Sequence, residues 1–259
     1  MLKVPGELRD EYASWSWEVV SVYPGKSVMH RLSNDAGDTR FLKIVRHGWT
    51  PSAEAEAERT AWARAFLPVP HILERGTTHE SSWLLTEGIP GFDATSAAFR
   101  VDVPGLVSRL ADGLRRFHEA PSDACPFQFR IDDAIRLVRR RLETGQIDPA
   151  RDFHPEFATL TAEAAVEELV CSAPDSEDLV VCHGDYCVPN VLLHENVVVG
   201  YVDLGELGVA DRWWDLAVAT WSVTWNFGPG YESRFLDEYG VQADAHRIAF
   251  YRLLYDLAS

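Results

Sequence analysis

Cysteine and long apolar runs are both scarce in this chain. Among 259 residues there are four cysteines, and none of them forms a Cys-x-x-Cys pair: Cys125, Cys171, Cys182 and Cys187. This spacing argues against a disulfide framework and against a zinc site. No apolar stretch reaches the roughly 18 residues of a membrane span, and no signal-peptide pattern is present. The sequence therefore predicts a cytoplasmic protein.

Positive charge is also in deficit. Lys and Arg number 24 against 40 Asp and Glu, which gives a formal net charge of −16. A chain of this sign repels nucleic acid and anionic membrane surfaces, so neither is expected as a partner. It attracts cations, including polycationic small molecules. From charge alone, however, solubility is the more general explanation.

Strand-like segments dominate the first third of the chain. Runs rich in β-branched and aromatic residues alternate with turn signals, among them Pro24-Gly25. An Ala- and Glu-rich segment interrupts them after Ser52, which is a good helix N-cap. The sequence therefore predicts strands at 15–23, 28–32, 40–45, 71–77 and 81–86, and one helix at 52–66.

The chain after Gly88 has mainly helical periodicity. Val103, Leu106 and Leu110, for example, fall on one helical face. Further predictions are helices at 131–142 and 160–170, a strand at 179–182, a hairpin at 191–194 and 197–203, and three helices over 211–257. The expected fold class is α+β, with a β-rich N-terminal lobe (1–87) and a helix-rich C-terminal lobe (88–259). Two lobes joined by a short hinge form a natural cleft.

One segment is dense in groups that carry chemistry. Residues 183–190 read His-Gly-Asp-Tyr-Cys-Val-Pro-Asn, and Asp203-Leu204-Gly205 follows. Phosphoryl transfer needs a carboxylate that orients the attacking hydroxyl and accepts its proton, and oxygen ligands that hold Mg²⁺ on the nucleotide phosphates. Asp185 is the candidate base. Asn190 and Asp203 are the candidate metal ligands.

This pattern, His-x-Asp-x-x-x-x-Asn followed by Asp-x-Gly, resembles the aminoglycoside phosphotransferases, which are relatives of the protein kinases. The likeness is strongest over 181–217 and extends more weakly over the whole chain. It implies a bilobal protein-kinase-like fold with a small antiparallel sheet and one helix in the N-lobe. It also implies a small-molecule kinase that uses ATP, or alternatively GTP, with Mg²⁺. His183 is then expected to support the catalytic loop through hydrogen bonds.

The resemblance also assigns an ion pair. Lys43 matches the family lysine that binds the α- and β-phosphates. Glu56 matches its carboxylate partner, chosen over Glu54 and Glu58 for its spacing from Trp62. Without the resemblance, Lys43 is an ordinary strand lysine and Glu56 a solvated helix residue.

Three further nucleotide contacts follow from the resemblance. The Thr86 carbonyl and the Gly88 amide would bond the adenine edge, and Ser27 would lie near the β-phosphate. The sequence Gly-Lys-Ser at 25–27 is not a P-loop, because that motif needs a glycine where this chain has Val20.

Acidic residues are expected to line the acceptor pocket, because aminoglycosides carry several ammonium groups. The resemblance points to Asp152 and Glu156 before the third C-lobe helix, and to Asp256 near the C-terminal end. Beside Asp256, Tyr255 stands where relatives carry an acid. Glu206 stands where relatives usually carry arginine. These departures bear on which acceptor fits.

The expected function is ATP-dependent phosphorylation of an aminoglycoside hydroxyl, conferring resistance, by a monomer or weak homodimer. A 3′-hydroxyl is favoured over a streptomycin-type 3″-hydroxyl. Other acceptors left open are a macrolide, a peptide antibiotic or another amino alcohol. A catalytically silent nucleotide-binding protein is disfavoured because the phosphoryl-transfer set is complete: Lys43, Asp185, Asn190 and Asp203.

Overall fold

The structure, a computed structural model, describes residues 2–258. It divides into two compact units. The first comprises residues 2–92, 192–194 and 199–206, and the second comprises 93–191, 195–198 and 207–258. Met1 begins the predicted N-terminal lobe and Ser259 ends the predicted C-terminal lobe, and both lie outside the described residues. The lobe boundary between residues 87 and 88 stays a prediction.

The first unit is built around a five-stranded antiparallel sheet with the strand order β1-β2-β3-β5-β4. Its elements are α1 (Gly6–Glu11), β1 (Ser16–Tyr23), β2 (Ser27–Ser33), β3 (Thr39–Arg46), α2 (Ala53–Ala63), β4 (Ile72–Thr77) and β5 (Ser81–Glu87). All five predicted strands and the predicted helix are confirmed. Ser52 caps α2 as predicted, because its hydroxyl accepts a hydrogen bond from the Ala55 amide at 3.2 Å.

Alternating side chains of this sheet form the core of the first unit. Val28 and Leu32 of β2 point to the same face as Leu42 and Ile44 of β3, since strand side chains alternate between faces. The N-terminal segment packs on this core through four apolar side chains, and α1 was not predicted. The four are Leu2, Val4, Leu8 and Tyr12.

The remaining elements are mainly helical. In chain order they are β6 (Phe92–Asp93), α3 (Val103–Phe117), α4 (Ile131–Glu143), α5 (Pro149–Asp152), α6 (Ala162–Cys171), β7 (Leu179–Cys182), β8 (Val191–His194), β9 (Val197–Tyr201), β10 (Gly208–Asp211), α7 (Trp213–Phe227), α8 (Glu232–Tyr239) and α9 (Ala245–Ala258). β7 pairs with β10, and the other three strands form a sheet in the order β6-β8-β9.

Helix α7 forms the centre of the second unit. It is buried around nearly its whole circumference from Trp213 to Val223, and it packs against α8 and α9. A helix that is apolar on all sides is stable only when it is surrounded by other elements. Among residues 2–258, no helix is long and apolar enough to cross a membrane.

The predicted hairpin is confirmed in its turn. Glu195 and Asn196 both have positive φ, 47° and 65°, between β8 and β9. A two-residue turn of this kind matches the twist of the strands it joins. By contrast, β10 was not predicted, because its four residues include Gly208 and Asp211, both of which are poor strand formers.

Candidate active site

A lysine with two carboxylate partners lies in the first unit. Nζ of Lys43, on β3, donates to Oε2 of Glu56 on α2 and to Oδ1 of Asp203, each at 2.6 Å. Lys43 and Glu56 are largely buried, whereas 42% of the Asp203 side chain is exposed. The structure therefore brings together three of the residues singled out in the sequence, including Glu56 rather than Glu54 or Glu58.

The charge of this lysine is stabilised by its partners. Burial lowers the pKa of Lys43, but the carboxylates of Asp203 and Glu56 outweigh that effect and raise it above its usual range. Because the shift is upward, Lys43 remains an ammonium group at every physiological pH. It can therefore contribute a permanent positive charge to a phosphate-binding site.

The segment Asp203-Leu204-Gly205 has a constrained backbone. Asp203 has a φ of 62°, in the left-handed region that few non-glycine residues adopt. Leu204 is buried. A Cβ at Gly205 would overlap the ring of Pro51, so only glycine fits there. These constraints hold the Asp203 side chain beside Lys43.

The predicted adenine contacts at Thr86 and Gly88 need correction. The Gly88 amide donates to the Thr39 carbonyl at 2.8 Å, and Thr86 pairs with Phe41 of β3. The N–H and C=O groups of alternate strand residues point to the same edge, so those of Thr86 and Gly88 both face β3. Their polar backbone groups are engaged within the sheet and are not available to a ligand.

Backbone groups one residue further along point the opposite way. The Glu87 amide donates to the His71 carbonyl at 2.8 Å, on the side of β5 away from β3. Ser27, the third predicted nucleotide contact, is the first residue of β2 and follows the turn that contains Gly25. Its role stays a prediction.

A loop in the second unit carries Asp185 and is anchored by a buried carboxylate. Asp215, in the first turn of α7, accepts the amide of His183 at 2.6 Å and that of Gly184 at 2.9 Å. It also bonds the ring of His118 at 3.0 Å. His183 is fully buried and accepts the Asp185 amide at 3.3 Å, in accordance with the supporting role expected for it. Asp215 lies within residues 181–217, where the family resemblance is strongest, but no role was predicted for it.

The Asp185 carboxylate has a donor on each oxygen. Nδ2 of Asn190 donates to Oδ2 at 2.9 Å and to the Asp185 carbonyl at 2.9 Å. The hydroxyl of Tyr255, on α9, donates to Oδ1 at 3.1 Å. The motif groups Asp185 with Asn190 but not with Tyr255, because α9 and the loop are seventy residues apart in sequence.

Cys187 lies in the same loop. Burial and the neighbouring charge of Asp185 raise the pKa of its thiol well above the usual value. The thiol is therefore protonated at neutral pH.

The three predicted acceptor-binding acids differ in accessibility. Asp256 is 1% exposed and accepts the amide of His154 at 2.8 Å and its ring Nδ1–H at 2.5 Å. Its direct contact with an acceptor was therefore predicted wrongly, because both oxygens are buried and bonded within the protein. Asp256 instead fixes the position of His154.

Asp152 is also engaged within the protein. It pairs with Arg151 at 2.7 Å and accepts the Asp148 amide at 2.8 Å. Burial raises the pKa of Asp152, but these hydrogen bonds lower it by more, so it stays ionised. Glu156 is the most accessible of the three, with 43% of its side chain exposed and Arg252 at 3.7 Å. The roles of Asp152 and Glu156 in binding stay predictions.

Aromatic rings surround His154. Its imidazole stacks on Trp225 with a centroid distance of 4.4 Å and an interplanar angle of 8°. Trp221 lies 4.3 Å away, and Tyr255 lies 6.4 Å away. This group joins the end of α7 to α9, and 43% of Trp225 is exposed. No motif in the sequence singles out these rings, since their contact depends on how the helices pack.

A buried Lys–Glu pair with an Asp-x-Gly carboxylate, and a loop aspartate bonded to a downstream asparagine, are the parts of a protein-kinase-like phosphotransferase. Comparison with known proteins agrees. The model of the phosphotransferase enzyme family matches residues 26–251. The aminoglycoside 3′-phosphotransferase of Streptomyces fradiae is 36% identical over 95% of this chain and 97% of its own.

Solved structures give the same answer. The crystal structure of an aminoglycoside-3′-phosphotransferase of type VIII matches with a TM-score of 0.86 and 33% identity, covering 97% of this chain and 96% of its own. APH(3″)-Id of Streptomyces rimosus, solved with ADP and streptomycin, matches with a TM-score of 0.79 and 26% identity over the same shares. This chain belongs to the phosphotransferase enzyme family and, within it, to the aminoglycoside phosphotransferases. The expected family, α+β kinase-like fold and enzyme class are confirmed.

Proposed function

We propose that this protein is an ATP-dependent O-phosphotransferase that modifies a hydroxyl of an aminoglycoside, with the 3′-hydroxyl favoured. The observation that carries the proposal is the Asp185 carboxylate, bonded by Asn190 on one oxygen within a loop that Asp215 anchors. A carboxylate fixed in this way can orient an attacking hydroxyl and accept its proton.

Each residue of the phosphoryl-transfer set then has a role. Asp185 takes the proton of the acceptor hydroxyl as that oxygen attacks the γ-phosphorus, and the bond from the γ-phosphorus to the β,γ-bridging oxygen breaks, so that ADP leaves. Lys43, held by Glu56, neutralises negative charge on the α- and β-phosphates. Since the Thr86 and Gly88 groups face β3, we place the adenine contacts one residue on, at the Glu87 carbonyl and the Ile89 amide.

The two candidate metal ligands have donor atoms that suit Mg²⁺. Because Nδ2 of Asn190 is committed to Asp185, its Oδ1 is the atom left for a hard cation. Asp203 accepts the Lys43 bond on Oδ1, and 42% of its side chain is exposed, so its carboxylate can offer an oxygen to a cation. Mg²⁺ held by these oxygens would neutralise charge on the nucleotide phosphates.

The acceptor is proposed from charge and from relatives. The net charge of −16 and the accessible Glu156 favour a polycationic ligand. The relative from Streptomyces fradiae is named as a 3′-phosphotransferase, which favours the 3′-hydroxyl. The specific reason to retain a 3″-hydroxyl acceptor is the likeness to a structure that contains streptomycin.

The test is an ADP-release screen over kanamycin, neomycin and streptomycin with ATP and with GTP, followed by phosphorus NMR of each product. We expect turnover with ATP and a 3′-phosphorylated product. Phosphorylated streptomycin alone would favour the 3″ alternative. Turnover only with acceptors outside this class, such as a macrolide added to the screen, would overturn the proposed acceptor class.

A matched pair of variants tests the role of Asp185. We expect Asp185→Ala to lower kcat by about 10²- to 10⁴-fold, since it removes the general base. Asp123→Ala, at an exposed position of the same unit, should leave kcat unchanged. Unchanged turnover in Asp185→Ala would contradict the proposed mechanism.

A further inference from the structure

Tyr255 lies where a family acid is expected, yet it contacts the candidate base. Its hydroxyl donates to Oδ1 of Asp185 at 3.1 Å, while Asn190 donates to Oδ2 at 2.9 Å. The two donors approach different oxygens of one carboxylate. Together they restrict rotation about the bond that joins the carboxylate to Cβ.

Tyr255 is itself held in place. It lies on α9, which packs against the buried helix α7. Its ring meets Trp221 edge-on with a centroid distance of 6.5 Å, and His154 lies 6.4 Å away. His154 is fixed in turn by the buried Asp256. A donor on so constrained a side chain can orient its acceptor, because little conformational freedom remains to be lost.

The Tyr255 bond does not by itself exclude the acceptor from the same carboxylate. An ionised carboxylate has about four lone-pair sites on its two oxygens, so it can accept more than one hydrogen bond. Tyr255 therefore need not leave for the reaction to occur. It can fix the orientation of the carboxylate that meets the acceptor hydroxyl.

We propose that Tyr255 is a positioning residue, whose hydroxyl holds Asp185 in the orientation that receives the acceptor proton. This rests on the proposed function, in which Asp185 is the base. An acid at this position would offer a negative charge to the substrate. Tyr255 offers no such charge and contributes to turnover through Asp185 instead. Asp256, although adjacent in sequence, acts only indirectly, through His154 and the aromatic rings.

The first test replaces Tyr255 by Phe, which removes the hydroxyl and keeps the ring. Removing a hydrogen bond to a charged group raises the free energy of the transition state by an amount that corresponds to about a 10- to 100-fold loss of rate. We therefore expect kcat of Tyr255→Phe to fall by that factor. KM for ATP and for the acceptor should stay within about twofold, because Tyr255 acts on the base and not on binding. Tyr231→Phe, before α8, is the matched control and should leave kcat unchanged.

A double-mutant cycle separates positioning from a general structural role. In an Asp185→Asn background, Tyr255→Phe should change the residual kcat by less than about twofold, because its effect passes through Asp185. Equal losses from Tyr255→Phe in both backgrounds would overturn the proposal, and so would an unchanged kcat in the single variant. An inactive wild-type protein in the acceptor screen would instead refute the proposed function, so the two failures are distinguishable.

Discussion

At the scale of single residues, position on a helix face decides what a glutamate does. The buried residues of α2 follow a helical spacing: Ala53, Glu56, Ala57, Thr60 and Ala63. Glu56 shares that face and reaches Lys43, whereas Glu58 is exposed. Two side chains of the same type, two positions apart, therefore have different surroundings.

This difference predicts unequal effects of the same substitution. Glu56→Gln should lower kcat/KM by about 10- to 100-fold, because Lys43 loses a charge-assisted hydrogen bond and one of the two groups that orient it. Glu58→Gln should stay within about twofold of the wild type. Steady-state kinetics with varied ATP would check both. Similar losses in the two variants would contradict the assignment of Glu56.

Residue roles were predictable where the motif itself fixes the geometry. Asn190 lies five residues after Asp185 on one loop, so their contact follows from local sequence. Asp256 and Gly88 were assigned incorrectly because burial and backbone direction are decided by neighbours distant in sequence: His154 for Asp256, and β3 for Gly88. Tyr255 was missed for the same reason.

At the scale of elements, α7 determines the conformation of the loop that carries Asp185. Its Asp215 accepts two consecutive loop amides with its two oxygens. Gly184, which carries the second of these amides, has a φ of 89°, a conformation that residues with a side chain rarely adopt. Ser222, two turns further along α7, accepts the Val188 amide at 2.9 Å. One helix thus holds both ends of the loop.

Replacing Asp215 tests this anchoring. Asp215→Asn keeps one carbonyl oxygen and turns an N–H group toward a buried donor, so one loop amide loses its acceptor. We expect the free energy of unfolding to fall by about 3 kcal/mol, measured by urea denaturation. Asp237→Asn, exposed on α8, should change it by less than about 0.5 kcal/mol. A loss below 1 kcal/mol at Asp215 would show that the loop has other supports.

Elements with strong periodicity were predicted, whereas α1 and β10 were not. Helix α4 begins at the predicted residue and α3 contains the predicted apolar face, since an apolar stripe repeats over several turns in each. Helix α1 and strand β10 span six and four residues. Segments of that length carry too few repeats for a pattern, and they are stabilised by tertiary packing instead.

At the scale of the whole molecule, net charge bears on how the acceptor arrives. The surplus of 16 negative charges should attract a polycation over a distance set by the ionic strength. The fold and family were predictable because the motifs extend over much of the chain. The acceptor was not, since its contacts depend on side chains that differ between relatives, such as Tyr255.

This charge predicts a salt-dependent KM for the acceptor. Raising NaCl from 50 to 300 mM should raise that KM several-fold, because screening weakens attraction between exposed charges. The rise should be steeper for neomycin than for an acceptor with fewer amines. Steady-state kinetics at each salt concentration would check this, with sucrose of equal osmolality as the control. A KM that does not depend on salt would show that long-range attraction plays no part.

Cys187 has a consequence for drug design. A covalent warhead such as an acrylamide reacts with thiolate, and the raised pKa of Cys187 leaves little thiolate at neutral pH. The Cys187 sulfur, although it is close to Asp185, is therefore a poor attachment site for covalent inhibitors. Compounds meant to preserve antibiotic potency against this enzyme would have to depend on reversible affinity.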